Sequence, residues 1–392
     1  MVPDGYQRLK DAIAGERLPT AVVDLDAMDR NFDRLVATAQ GKPMRIASKS
    51  VRCPALLRHL VDRGGAAVVG VMTYSAAETE FLAGEGFGNL LLAYPTVQPS
   101  DLQSLLRANQ RSLAAVAVDS VDQIDALIAA AAAAGLIVPV VIDIDMAYRP
   151  VPWLHLGVRR SPLRTDADVV ALARKILGSP SLGLHGLQAY EAQIAGLTDD
   201  NPLRRMLKLL SRPQVEQRRA QLAATLAAAK IPIPIFNGGG SGSLSWAARD
   251  PALTEVTVGS AFLASHLFDH YRDLQLEPAA YFALQVVRHP SASLVTCHGG
   301  GLLASGSSGP DRLPVPALPP GLQLLPLEGA GEVQTPLRVP QGTRLQLGDP
   351  VFFRHAKAGE LAEHFNEYLL LRNGRIESRA ATYRGLGRSF LG

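Results

Sequence analysis

A chain of 392 residues, 47% hydrophobic and 19% charged, has the composition of a folded protein with a large core and not of a disordered or fibrous one. Its formal net charge of +3 is spread along the chain, which argues against a nucleic-acid partner or a membrane partner. The two cysteines, Cys53 and Cys297, lack Cys-x-x-Cys spacing, and residues 1–20 do not read as a signal peptide. We therefore expect no disulfide framework and a cytoplasmic location.

The first two thirds of the chain alternates short apolar runs with helical patterns. The runs are TAVVDLDAM (20–28), RIASKS (45–50), AAVVGV (66–71), NLLLAYP (89–95), LAAVAVDS (113–120), IVPVVIDIDM (137–146), LHGLQAY (184–190), IPIFNGGGSG (233–242) and EVTVGSAFL (255–263). After the third run, Ser75 and Glu78 have the spacing of a capping box. Buried strands joined by helices predict a parallel sheet, and about eight such units over roughly 250 residues predict an α/β fold with a (β/α)8 TIM-type barrel. A doubly wound open sheet is the alternative, but no G-x-G-x-x-G follows the first run.

After about residue 275 the pattern changes to short apolar runs separated by Gly, Pro and Ser. Examples are YFALQVVRHPSASLVTC (281–297), LQLLPL (322–327), DPVFFRH (349–355) and EYLLLRNGRI (367–376). This spacing predicts a C-terminal antiparallel β domain. We expect a barrel over 20–275 and a β domain made of 1–19 and 276–392.

Lys49 stands between two serines at the end of an apolar run. On these residues alone it is either a strand-end lysine in water or an amine that forms a Schiff base. The runs NGGGSGS (237–243) and VGSAF (258–262) follow consecutive late strands, where barrels bind phosphate. A phosphate site and an amine at one barrel mouth predict pyridoxal phosphate as cofactor. Tyr190, at the end of LHGLQAY, points to the same mouth unless it is a core tyrosine.

Together these segments resemble the fold-type III pyridoxal-phosphate enzymes of the alanine-racemase barrel type, and within them the D-threonine aldolase and D-serine dehydratase group. The resemblance rests on LPTAVVDLDAMDRN (18–31), SKSVRCP (48–54), LQAY (187–190), GGGSGS (238–243) and VGSAF (258–262). It implies that Lys49 is the Schiff-base lysine. It also implies that Arg160, in GVRR (157–160), lies near the pyridine ring, with a surface arginine as the alternative. The cofactor-binding residues that it implies are Lys49, Arg160, Tyr190, Gly238, Gly239, Gly240, Ser241, Gly259 and Ser260.

The segment FFRHAKAGELAEHFNEY (352–368) departs from this group. There, the His-x-Cys or His-x-Asp pair that binds a divalent metal aligns with His355 and Lys357, and a protonated lysine cannot ligate. We expect His355 to act as a base and Lys357 to supply positive charge, in an enzyme that keeps its activity in chelator. The competing expectation is a divalent metal held by His355 with Glu360 or His364, which share a face if 358–366 is helical.

The resemblance implies a homodimeric lyase with a small amino-acid substrate. The expected reaction is the reversible aldol cleavage of a β-hydroxy-α-amino acid, of D configuration, to glycine and an aldehyde. The first alternative is a D-serine or D-threonine dehydratase on the same scaffold, which would release a 2-oxo acid and ammonia. An amino-acid racemase and a non-catalytic pyridoxal-phosphate carrier are further alternatives.

Overall fold

A computed structural model describes residues 5–391 of the chain. Within these residues the strands are β1 (Thr20–Asp24), β2 (Met44–Ala47), β3 (Val68–Thr73), β4 (Leu90–Leu92), β5 (Ala114–Val118), β6 (Val138–Asp143), β7 (Leu182–Ala189), β8 (Ile235–Gly238), β9 (Glu255–Val258), β10 (Ala280–Ser291), β11 (Leu294–His298), β12 (Val315–Leu318), β13 (Gln323–Leu324), β14 (Gln334–Arg338), β15 (Pro350–Arg354), β16 (Glu367–Arg372) and β17 (Arg375–Ala381).

Strands β2 to β9 pair in chain order, all parallel, and β9 returns to β2 to close a barrel. The barrel strands read as nearly continuous apolar runs because parallel strands in such folds are covered on both faces. In β5, for example, every residue is buried. The predicted barrel and the predicted C-terminal sheet domain are both confirmed.

Helices follow most of the barrel strands. The described helices are α1 (Gly5–Ala12), α2 (Leu25–Ala39), α3 (Pro54–Gly64), α4 (Ala76–Gly84), α5 (Pro99–Asn109), α6 (Val121–Ala134), α7 (Asp166–Leu177), α8 (Ala192–Ala195), α9 (Pro202–Ala228) and α10 (Leu244–Ala247). Ser75 caps α4 as predicted, because its hydroxyl accepts from the Glu78 N–H at 3.1 Å. The Glu78 carboxylate accepts from the Tyr74 N–H, one residue before the position that a capping box requires. No helix among residues 5–391 combines the length and hydropathy of a membrane span.

The remaining strands form a mainly antiparallel sheet, ordered β13-β14-β11-β10-β1-β16-β17, with β15 pairing β10 and β12. Helix α1 packs on this sheet through Leu9, which shares a buried apolar cluster with Val22, Phe352 and Leu369. Burial of these side chains stabilises the sheet by the transfer of apolar area out of water. Polar contacts add to it, since the Tyr6 hydroxyl donates to the Pro350 carbonyl at 3.1 Å.

The predicted domain boundaries differ from the observed units. One compact unit contains residues 5–34, 50–56 and 260–389, and the other contains 35–49, 57–259 and 390–391. Strand β1, predicted as the first barrel strand, instead pairs antiparallel with β10 and parallel with β16. The reason is that β2 and β9 pair directly and leave no gap in the barrel. Residues 1–4 and 392 of the predicted β domain lie outside the described residues.

Candidate active site

Lys49 lies just beyond the carboxyl end of β2, in a single 3-10 turn over Ser48–Ser50. The Ser48 hydroxyl donates to the Met72 carbonyl of the neighbouring strand at 3.0 Å. Ser48 and Ser50 are buried, whereas the Lys49 side chain is exposed. The backbone of the turn is therefore anchored to the barrel while the amine projects at its carboxyl-end mouth, where side chains from different strands converge.

The Lys49 amine contacts Tyr94, a residue that the sequence analysis did not select. Lys49 Nζ donates to the Tyr94 hydroxyl oxygen at 3.0 Å and lies 5.7 Å from the centre of the ring. The backbone before Tyr94 is fixed on two sides, because Ala93 donates to the Thr73 carbonyl at 3.1 Å and accepts from Gln188 Nε2 at 3.2 Å. Tyr94 thus lies two residues beyond the end of a barrel strand, as Lys49 does, and the backbone that precedes it is hydrogen-bonded to the barrel.

Arg160 lies beside two tyrosine rings at this mouth. Its guanidinium carbon is 5.6 Å from the ring centre of Tyr94 and 5.6 Å from that of Tyr190, distances at which a cation and a ring attract each other. Burial alone would raise the pKa of the Tyr94 phenol, but Lys49 and Arg160 outweigh it and lower that pKa. Burial raises the pKa of Tyr190 to about 12, so its phenol stays protonated.

Asp143, the last residue of β6, adds a titratable carboxyl to the same end of the barrel. Burial, with a smaller contribution from the nearby Asp119, raises its pKa to about 7. Three groups oppose this rise: Gln188 Nε2, which donates to Asp143 Oδ1 at 3.2 Å, the Arg160 charge and the backbone N–H of Ile144. The carboxyl therefore changes its charge near neutral pH.

The glycine-rich turn after β8 packs against Tyr190. A Cβ added at Gly240 would lie 3.2 Å from Tyr190 Cε2 and 2.9 Å from the Ala195 Cβ, so this close approach requires glycine. Gly239 has a φ of +80°, which other residues rarely adopt. The contacts from Lys49 through Tyr94, Arg160 and Tyr190 therefore reach the turn that was predicted to hold phosphate.

Three backbone N–H groups of the predicted phosphate turns already have acceptors in the protein. Gly239 donates to the Glu191 carboxylate, Gly240 to the Ser243 hydroxyl and Gly259 to the Ser241 hydroxyl, each at 3.1 Å. The last of these bonds joins the two turns, as expected for one site. A phosphate cradle made of these three amides stays a prediction, and it requires the amides to change partner.

Glu191 lies under this turn in a buried ionic network that the sequence analysis also missed. It accepts from the Arg219 guanidinium and from the Ser243 hydroxyl, the latter at 2.6 Å. Arg219 also pairs with Asp250 at 3.0 Å, and none of these side chains is more than 4% exposed. Because a buried charge is tolerated only when paired, the network holds the turn in one conformation.

A sequence profile of the family described as "Alanine racemase, N-terminal domain" matches residues 23–265, more than half of the chain. The chain belongs to this family. Among its relatives is D-threonine aldolase from Arthrobacter sp, 24% identical over 312 residues, which are 77% of this chain and 76% of the relative. Another is 3-hydroxy-D-aspartate aldolase from Paracoccus denitrificans (strain Pd 1222), 25% identical over 315 residues, 74% of each chain.

Solved structures agree on the fold. A D-threonine aldolase from Filomicrobium marinum superposes with a TM-score of 0.82 at 22% identity, covering 94% of this chain and 95% of that one. The D-threo-3-hydroxyaspartate dehydratase from Delftia sp. HT23 superposes with a TM-score of 0.78 at 21% identity, covering 95% and 98%. The predicted resemblance to the alanine-racemase barrel enzymes is therefore confirmed.

Membership of the alanine racemase N-terminal domain family implies pyridoxal phosphate, and the barrel mouth fits that group. The cofactor requires an amine for its aldehyde, and Lys49 supplies one that is exposed and held by a hydroxyl. Its phosphate requires close backbone approach, which the turn at Gly240 offers, and Arg160 stays the residue expected near the pyridine ring. Lys49, Arg160 and Tyr190 were chosen from sequence; Tyr94, which was not, lies between Lys49 and Arg160, and Arg160 lies beside Tyr190.

The residues of the sheet unit that were considered for a divalent metal do not fit one. Lys357 Nζ donates to the Ser305 carbonyl at 2.6 Å, and both Glu360 carboxylate oxygens accept from the Ser305 N–H at 3.1 Å. The condition that 358–366 be helical, under which Glu360 and His364 would share a face, is not met, because a 3-10 turn over Glu360–Glu363 ends before the exposed His364. Across residues 5–391, His, Cys, Asp and Glu side chains nowhere form a group of three or more suited to a metal.

His355, the predicted base, follows β15 and is only 2% exposed. Neither of its ring nitrogens has a hydrogen-bond partner among the described residues. Burial, with the charge of Arg354 and the nearby His266, lowers its pKa to about 3. The ring is therefore neutral at physiological pH and, in this environment, a weak proton acceptor, because basicity falls with pKa. Its role as a base stays a prediction.

Proposed function

We propose that this chain is a pyridoxal-phosphate-dependent lyase that cleaves a D-β-hydroxy-α-amino acid to glycine and an aldehyde. The observation that carries the proposal is the Lys49 amine, held by the Tyr94 hydroxyl at 3.0 Å at the mouth of a closed parallel barrel. The relatives named D-threonine aldolase and 3-hydroxy-D-aspartate aldolase support the substrate class and its D configuration.

The reaction breaks the Cα–Cβ bond, removes one proton from the β-hydroxyl and adds one proton to Cα. The β-hydroxyl loses its proton and becomes the carbonyl of the aldehyde as the Cα–Cβ bond breaks, and Cα then takes a proton to give glycine. Pyridoxal phosphate, when bound, accepts the electron pair that the broken bond leaves on Cα. The residues that would hold the cofactor are Lys49 through its amine, Arg160 through its charge, and Tyr190 with Gly240 through close packing.

Two predicted catalytic residues belong to the sheet unit. In the proposed reaction His355 would take the β-hydroxyl proton, and Lys357 would stabilise the oxygen as negative charge develops on it. No step is assigned to a metal ion, since Lys357 and Glu360 both bond Ser305 instead of forming a ligand set. We also propose a homodimer, following the same resemblance.

The test is incubation of purified protein, loaded with pyridoxal phosphate, with D- and L-threonine, D- and L-serine and both configurations of 3-hydroxyaspartate. Products are identified by mass, with Lys49→Ala as the inactive control. An aldehyde with glycine from a D substrate supports the proposal. A 2-oxo acid with ammonia would make the protein a dehydratase, and inversion at Cα alone would make it a racemase. No turnover with the cofactor bound would make it a carrier.

A further inference from the structure

We propose that the Tyr94 hydroxyl is the proton relay of the Lys49 amine, passing protons between that nitrogen and the oxygen of the aldehyde with which it combines. The inference rests on the proposed function, because it takes Lys49 as the nitrogen that binds the cofactor. It adds a catalytic residue that the sequence motifs do not point to.

The geometry supports a relay. Tyr94 Oη is 3.0 Å from Lys49 Nζ, within the range in which a proton transfers directly. Tyr94 follows β4; the N–H of the preceding Ala93 donates to Thr73 of the neighbouring strand β3, and its carbonyl accepts from the Gln188 side chain of β7. Lys49 is anchored through Ser48 in the same way. The two groups therefore keep their separation without a mobile loop.

The chemistry requires such a relay. When an amine condenses with an aldehyde, a carbon–nitrogen double bond replaces the carbon–oxygen double bond and the oxygen leaves as water. The neutral amine must lose two protons and the departing oxygen must gain two. A hydroxyl that contacts the nitrogen can accept a proton from it while donating its own to the oxygen, so its net protonation does not change. The reverse reaction, which releases Lys49, uses the same path.

The charges around Tyr94 suit an exchangeable proton. Lys49 and Arg160 are the cations near its hydroxyl, and Asp143 is the nearby carboxyl. The Arg160 guanidinium lies beside the Tyr190 ring as well as the Tyr94 ring. The two cations stabilise the phenolate more than burial and Asp143 destabilise it, which lowers the pKa of the phenol. A phenol whose pKa is lowered gives up its proton more readily, which is the donating half of the relay.

The experiment compares wild type, Tyr94→Phe and the control Tyr281→Phe, whose tyrosine lies in β10 of the sheet unit. Each full-length protein is freed of cofactor, mixed with pyridoxal 5'-phosphate at pH 8, and followed by absorbance during capture. Borohydride trapping and peptide mass then locate the attachment. In parallel, the rate at which acetic anhydride acetylates Lys49 is measured. This rate depends on the reactivity of the neutral amine and not on Tyr94 as a relay, because acetylation needs no proton relay. Far-UV circular dichroism checks that each variant is folded.

We expect Tyr94→Phe to slow capture at Lys49 by about 100-fold, the lower end of general acid–base contributions, and imidazole buffer to restore part of the rate. Acetylation of Lys49 should be unchanged or faster, since the ammonium loses a hydrogen-bond acceptor. Equal capture rates in wild type and variant would overturn the relay and leave the proposed function standing. Slower capture with equally slower acetylation would also overturn it, because Tyr94 would then only position the amine. Attachment at another lysine in wild type would overturn both proposals.

Discussion

Replacing Glu191 by glutamine tests whether the glycine-rich turn is held by the buried charge beneath it. The carboxylate accepts from the Arg219 guanidinium, from the Ser243 hydroxyl at 2.6 Å and from the Gly239 N–H at 3.1 Å. Glutamine keeps the shape but removes the charge and turns one acceptor into a donor. The amide oxygen can keep the Arg219 and Gly239 donors, but the Ser243 hydroxyl must then turn from donor to acceptor. The lost charge is not replaced by water, because Glu191 and Arg219 are both 0% exposed.

The magnitude follows from the charge that remains. Arg219 keeps Asp250 at 3.0 Å, so the guanidinium is not left wholly unpaired. Removing one partner of a buried pair costs about 3–5 kcal/mol, and we expect about 3 kcal/mol here because Asp250 stays. At 2–4 °C for each kcal/mol in a domain of this size, the melting temperature should fall by about 6–12 °C.

The assay is thermal unfolding followed by circular dichroism, with cofactor affinity measured by fluorescence titration. Glu80→Gln is the matched control, because Glu80 also pairs with an arginine, Arg107, but at the surface. Exposed pairs contribute about 0–1 kcal/mol, so the control should melt within roughly 4 °C of wild type. If Glu191→Gln has the same melting temperature as the control and the cofactor affinity of wild type, the network does not hold the turn and the reasoning fails.

Three further outcomes follow from the candidate site. Borohydride reduction of the yellow holoprotein should fix the cofactor on the peptide that contains Lys49, and its recovery on another lysine would refute the site. Gly239→Val should weaken cofactor affinity in a fluorescence titration. A φ of +80° strains valine by about 1–3 kcal/mol, and the added Cβ would lie 3.1 Å from the Cβ of Ala247. Unchanged affinity would place the phosphate elsewhere. Lys357→Ala should lower kcat by roughly 100-fold with the cofactor retained, while wild type stays active in chelator; activity lost in chelator and restored by one stoichiometric metal ion would contradict this.

Much of the barrel could be predicted from sequence because buried parallel strands leave a one-dimensional signal. Runs such as 114–118 are apolar at every position, and the residues that end such runs fall at one end of the barrel. Lys49 and Tyr190 were selected on that ground. The same signal misassigned 20–24, because an apolar run does not reveal whether its partners are parallel barrel strands or the sheet strands β10 and β16.

The residues that were missed depend on contacts between distant parts of the chain. Tyr94 ends a run that was recognised, but its partner Lys49 is 45 residues away, so no local motif joins them. Glu191 follows Tyr190 directly, and its cation, Arg219, lies 28 residues on inside α9. A charged residue next to a buried strand end was the available signal for Glu191, and a phenol at a strand end was the signal for Tyr94.

Asp143 should make the stability of the protein depend on pH in a defined window. Its pKa is raised from 3.8 to about 7, mainly by burial. Below about pH 4 the carboxyl is protonated in both folded and unfolded chains and has no effect on the free energy of unfolding. Between pH 4 and 7 the unfolded chain ionises first, so the folded state loses stability as the pH rises. Above pH 7 both are ionised and the loss levels off at roughly 4 kcal/mol.

Asp143→Asn removes this titration while keeping an amide oxygen that can accept from Gln188. Urea unfolding of wild type and variant at pH 4.5, 5.5, 6.5 and 8 should show the variant gaining relative stability up to about pH 7 and no further. Asp125→Asn is the control, because Asp125 is 55% exposed and exposed charges contribute only about 0–1 kcal/mol to stability. A constant difference for Asp143→Asn would mean that Arg160 pairs with the carboxylate closely enough to cancel its burial. In that case Arg160 would carry less net charge towards Tyr94, and the electrostatic support for the relay would weaken with it.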